Sequence, residues 1–66
     1  MGMFTELQRR AMWFLREPHT SRELGEHLWP GKRCPASRGL KIIEAIGRPT
    51  IKVVGFWPTR YKWIGV

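Results

Sequence analysis

The sequence predicts a small α+β domain in which three helices precede a C-terminal β-hairpin. Three observations predict it. Thr-x-x-Gln and Thr-x-x-Glu boxes at Thr5 and Thr20 each open an apolar run. Pro35 heads a third run with apolar residues at helical spacing up to Ile46. Two β-branched and aromatic segments, Ile51–Val54 and Arg60–Ile64, flank a loop containing Gly55 and Pro58. The 66 residues make one domain, 1–66, with no room for a cavity walled by two subdomains.

The first helix is expected over about Glu6 to Arg16. Thr5 and Gln8 form its capping box. Leu7, Ala11, Phe14 and Leu15 then share one face, and Glu6, Arg9, Arg10 and Arg16 take the other. Met12 and Trp13 widen the apolar surface. Pro18 ends the run and pushes Glu17 away from helical angles.

The second helix, about Ser21 to Leu28, starts at the Thr20–Glu23 box and stops at Pro30-Gly31. It is too short to stand alone. Gly25 inside it costs about 1 kcal/mol relative to alanine, which a close helix–helix contact would explain. The third helix spans about Pro35 to Ile46, with Gly47 as its cap and Pro49 beyond. Ala36, Gly39, Leu40, Ile43 and Ile46 fall on one side. Ser37, Arg38, Lys41, Ala45 and Arg48 fall on the opposite side.

In the hairpin, pairing Val54 with Arg60 sets Val53 against Tyr61, Lys52 against Lys62 and Ile51 against Trp63. Ile51, Val53, Tyr61 and Trp63 then share the core side. Lys52 and Lys62 oppose each other on the outer side, a repulsion that a bound anion would relieve. Trp13, Trp29 and Trp63 are assigned to the core. Trp57, at the tip, is read as folding back with Phe56 to cover that core. His19 and His27 are read as ordinary surface or capping-region residues.

Charge divides the chain. In residues 1–31 four arginines balance four glutamates; in residues 32–66 eight cations face Glu44 alone and carry the whole net charge of +7. That asymmetry points to a polyanionic partner met by the second half. Cys34 is the only cysteine, so no internal disulfide forms, as suits a reducing compartment. With His19 and His27 it lacks zinc-ligand spacing, and no cofactor is expected. The chain has no Asp, no nucleotide-binding glycine fingerprint and no metalloprotease motif, so it is not expected to be an enzyme. No apolar run is long enough to span a membrane, and the N-terminal residues lack a signal peptide's pattern. A cytoplasmic, nucleoid-associated protein is expected.

The capped Thr20–Leu28 segment, the Pro35–Ile46 helix and the basic Ile51–Ile64 hairpin together resemble a small winged helix-turn-helix domain. The link from Leu28 to Pro35 is longer than the tight turn of the simplest helix-turn-helix. The resemblance implies sequence-specific binding of double-stranded DNA. The third helix would enter the major groove and the hairpin would act as the wing. Carried onto this sequence, Ser37, Arg38 and Lys41 would read bases, with Arg38 suited to guanine. Lys32, Arg33, Arg48, Lys52, Arg60 and Lys62 would meet phosphates, and Trp57 would mark the wing tip. Such mini-proteins resemble phage and bacterial transcriptional regulators or recombination and excision accessory factors, acting as a homodimer or as cooperative copies on DNA. Two other functions fit the same residues. One is an adaptor docking an acidic protein through Phe56-Trp57-Pro58. The other is RNA binding, with Trp57 and Tyr61 as stacking platforms.

Overall fold

The computed structural model describes residues 4–47, 50–53 and 57–64. Their order is α1 (Glu6–Phe14), β1 (His19–Thr20), α2 (Ser21–Leu28), α3 (Pro35–Ile46), β2 (Thr50–Val53) and β3 (Arg60–Trp63). Three helices thus accompany a three-stranded antiparallel sheet of order β1-β3-β2. Among the described residues no helix is long and apolar enough to cross a membrane.

Both capping boxes form. The Gln8 N–H donates to Thr5 Oγ1 at 3.1 Å, and the Thr5 N–H donates to Gln8 Oε1 at 3.1 Å. The Glu23 N–H donates to Thr20 Oγ1, and the Thr20 N–H to Glu23 Oε1, each at 3.0 Å. Each box satisfies two backbone donors that would otherwise lack partners at a helix start. The α1 helix ends at Phe14 rather than Arg16. Its last turn tightens there, with the Arg16 N–H donating to the Trp13 carbonyl at 3.3 Å.

Gly25 serves the close contact expected of it. A Cβ there would overlap the Pro35 carbonyl, with Pro35 Cα only 2.8 Å away. Gly39 answers from α3, where a Cβ would overlap the Ser21 carbonyl and lie 3.1 Å from the Gly25 nitrogen. Backbone therefore meets backbone where α2 crosses α3. This contact sets the rotation of α3 about its axis. Ile43 and Ile46 lie near Gly39 around the helix and are buried, whereas Leu40 lies about 100° away and emerges. Leu40 and Ala36, expected on the same side of the helix as Ile43 and Ile46, are exposed, and half-buried Ile42 packs against the core instead. Ala11, Leu15, Leu24, Leu28, Ile43 and Ile46 form the buried centre.

The sheet departs from the expected hairpin in two respects. First, β1 is a third strand, pairing His19 with Tyr61 and Thr20 with Arg60. Second, the register is shifted by one: Lys52 opposes Tyr61, Val53 opposes Arg60 and Ile51 opposes Lys62. The opposed Lys52–Lys62 pair does not exist. β1 pairs with β3 along its other edge, and the Trp63 N–H donates to the Leu15 carbonyl at 2.8 Å, tying β3 to the end of α1. Tyr61 and Trp63 still pack against the core. Shifting the pairing removes Val53 from their face, because side chains alternate along a strand.

Two further expectations fail. Trp13 is 67% exposed and Trp57 92% exposed. Trp29 and Trp63 are half-buried at the core's edge. The two histidines lie where expected, His27 exposed and His19 beside the α2 cap, where its Nδ1 meets Glu23 Oε1 at 3.1 Å. His19 and His27 sandwich the Phe14 ring at centroid distances of 4.0 and 4.3 Å.

Gly39→Ala separates packing from propensity. Helix propensity alone predicts a gain of about 1 kcal/mol. The crossing instead predicts a loss of at least ~2 kcal/mol, read by urea denaturation, because backbone must move. A neutral or stabilised variant would show that the helices do not touch.

Glu23 supplies a pH test. Its carboxylate is held below the ordinary value of 4.5, chiefly by the Thr20 N–H and then, against a partly opposing desolvation, by His19 and the charge of Arg60. A depressed carboxylate contributes stability above its unfolded value, and that stability is lost as pH falls through the folded value. Thermal stability should therefore drop below pH 4.5. Glu23→Gln, which keeps the capping acceptor, should flatten this part of the Tm profile.

Candidate nucleic-acid interface

The third helix starts without a side-chain cap. Cys34 precedes it at φ 54°, ψ 54°, in the left-handed region, and Pro35 occupies the first turn. Gly31, at φ 78°, bends the connector from α2. These two reversals bring the start of α3 back over the middle of α2, where Pro35 meets Gly25. The positive end of the α3 dipole is left with no acidic residue in its first turn.

Beside it opens a groove of about 570 Å³ lined by Trp29, Arg33, Cys34, Ser37, Arg38, Lys41 and Ile42. Three cations and a hydroxyl line it, and no carboxylate does. The rotation of α3 accounts for this. Ser37 and Lys41 lie about 160° around the helix from Gly39, and Arg38 about 100°, so all three point away from the crossing. Ser37, Arg38 and Lys41 are exposed, as the helical spacing predicts.

Arg38 is fixed on two sides. Its Nε–H donates to the Arg33 carbonyl at 3.0 Å. Its guanidinium carbon lies 5.6 Å from the centroid of the Trp29 ring, a cation–π contact. A guanidinium has five N–H donors, and this arrangement uses one. The four on the terminal nitrogens keep the planar fork that suits paired acceptors.

Of the other cations expected at an anion surface, Arg33 joins this groove. Lys32 lies on the exposed connector and does not line it. Lys52 is exposed on β2, while Arg60 and Lys62 are half-buried on β3. These three and Trp57 do not line the groove either. Arg48 and Phe56 lie outside the described residues.

Sequence reasoning missed Trp29 as a wall of the groove. The contact joins α2's C-cap to α3, and no local spacing marks such a pair. Cys34 also lines the groove, at the αL position before Pro35. Among the described residues no group of three His, Cys or Glu side chains comes together to hold a metal ion. Set against known protein families, curated proteins and solved structures, the chain shows no match.

If Trp29 orients Arg38, Trp29→Leu should shorten the exchange lifetime of the Arg38 Nε–H a few-fold, from a contact contributing roughly 0.5–1 kcal/mol. Nitrogen-detected NMR of the arginine side chains reads this. An unchanged lifetime would assign the ordering to the Arg33 carbonyl alone.

Proposed function

We propose that the protein binds double-stranded DNA sequence-specifically, as a small winged helix-turn-helix transcriptional regulator or recombination accessory factor of phage or bacterial type. The observation that carries this reading is the groove beside α3. It gathers Arg33, Ser37, Arg38 and Lys41 without a carboxylate among its lining residues. The three helices and antiparallel sheet are compatible with the winged fold. In this reading α3 enters the major groove and Arg38 presents its terminal N–H pair to guanine O6 and N7. Lys41 and Ser37 contact neighbouring base edges or phosphates. Arg33 and Lys32 meet phosphates ahead of the helix, with the uncapped N-terminus of α3 adding its partial charge. Further phosphate contacts come from Arg60 and Lys62 on one face of the sheet, from Lys52 on the other, and from Arg48. A single module of this size reads a short site, so a homodimer or cooperative copies would extend it.

The exposure of Trp57 favours a second reading, in which its ring stacks on an unpaired base of single-stranded RNA or DNA. Competition between a duplex and a single strand separates the two.

A duplex selected from a random pool, measured by fluorescence anisotropy across a salt series, tests the main proposal. With about five phosphate contacts the log–log slope should lie near −4.5. Arg38→Ala should cost about 1–3 kcal/mol on the selected duplex and narrow its advantage over other sequences. Arg33→Ala should weaken all duplexes alike and reduce the slope by about 1. Binding indifferent to salt, or an Arg38→Ala variant with unchanged sequence preference, would overturn the assignment.

A further inference from the structure

A second groove, of about 460 Å³, runs along α1 and shares no lining residue with the first. Arg9, Met12 and Trp13 fall at i, i+3 and i+4, a single stripe of α1, and Arg16 follows just past the helix end. Phe4, just before the cap, and Trp63 of β3 complete the lining and meet edge to face at 6.1 Å. Trp13, two-thirds exposed, lines the same groove, with the Arg16 guanidinium carbon 3.9 Å from the centroid of its ring. Tryptophan, methionine and arginine are the side chains most enriched in protein interfaces.

Charge identifies the occupant. The floor is apolar and aromatic, and the two charged lining residues, Arg9 and Arg16, are both cations. Each already holds a carboxylate loosely: Arg9 with Glu6 at 3.6 Å, Arg16 with Glu17 at 3.9 Å. Exposed pairs of such length contribute little, so an incoming carboxylate can displace the resident one. A second copy of the chain would bring its own Arg9 and Arg16 against these two, together with its net charge of +7. A nucleic-acid duplex keeps its bases stacked inside and would present nothing apolar to the aromatic floor.

We propose that the α1 groove binds a short acidic–apolar segment of a partner protein. A leucine or aromatic side chain would seat against Trp13 and Trp63, and carboxylates would flank it on Arg9 and Arg16. This site is independent of the proposed DNA surface. It also places protein recognition on α1 rather than on the Phe56-Trp57-Pro58 loop.

The test titrates the isotope-labelled full chain with a synthetic peptide alternating glutamate with leucine and phenylalanine. The tryptophan indole N–H signals are followed by NMR. The Trp13 and Trp63 signals should shift saturably. The same peptide with lysine for glutamate should leave them unmoved. Arg16→Glu should weaken binding about tenfold or more, because a like charge then faces the peptide's carboxylates. Trp13→Ala should abolish the Trp63 shift. Both substitutions fall on exposed positions, and retained spectral dispersion verifies the fold. Four results would overturn the proposal. These are no shift at millimolar peptide, equal shifts with the lysine peptide, shifts confined to Trp29, or Trp13 shifts that follow protein concentration without peptide. The third would mean that the peptide only imitates a polyanion in the other groove. The last would mean that a second copy fills the site.

Discussion

The crossing of α2 over α3 governs the rest of the molecule. Two glycines let the backbones touch, Gly25 against the Pro35 carbonyl and Gly39 against the Ser21 carbonyl. Any side chain at either position would force the helices apart. With this contact made, α3 has one rotation and one height over α2. Ile43 and Ile46 close on Leu24 and Leu28, and Lys41 and Ser37 are turned outward. Trp29, at the end of α2, comes beside Arg38 for the same reason. The left-handed angles at Gly31 and Cys34 are the connector's solution to returning the chain to this crossing. Gly31 adopts them without steric penalty, whereas Cys34 is a non-glycine residue held there by the helices on either side.

What was legible in the sequence was whatever depends on neighbours along the chain. The Thr5–Gln8 and Thr20–Glu23 boxes, the stop after Leu28 and the start at Pro35 each involve groups within four residues, and each forms as expected. Gly25 was readable because an interior helix glycine is unfavourable enough to need a reason. Hidden from sequence was everything fixed by a distant partner. The two-residue β1 exists because β3 offers it an edge, not because His19-Thr20 favours a strand. The position of β3 is tied to the Leu15 carbonyl, about fifty residues away along the chain. Leu40 looked like core at 100° per residue, and only the Gly39 contact decides where that core face is centred. The groove's cations could be named from α3's spacing, but their convergence with Arg33 and Trp29 could not.

The aromatic residues illustrate a limit of size. A domain of 33 × 28 × 15 Å has an interior about one layer of side chains deep. Its buried centre is aliphatic throughout, made of alanine, leucine and isoleucine. The large rings sit around this centre: Phe14 between two imidazoles, Trp63 and Tyr61 along the sheet, Trp29 at the end of α2. Apolar content therefore overstates burial in a chain this short, and assigning Trp13 to the core fails for that reason.

Trp13 and Trp29 each carry an arginine, yet the two pairs differ in geometry and so in what they offer. Arg16 lies close on Trp13, at 3.9 Å, and makes a long contact of 3.9 Å with the Glu17 carboxylate. A guanidinium this close over an indole extends the ring's apolar surface while keeping N–H donors for a carboxylate. Arg38 stands farther from Trp29, at 5.6 Å, and its Nε–H is committed to the Arg33 carbonyl. That commitment fixes the direction of the remaining donors before any partner arrives, which lowers the entropy lost on binding. The first arrangement suits an adaptable apolar contact rimmed by charge. The second suits a directional one, in which two acceptors must lie in the plane of the fork. The same pair of residue types thus equips two separate faces for the two kinds of partner proposed, because the backbone around each arginine differs.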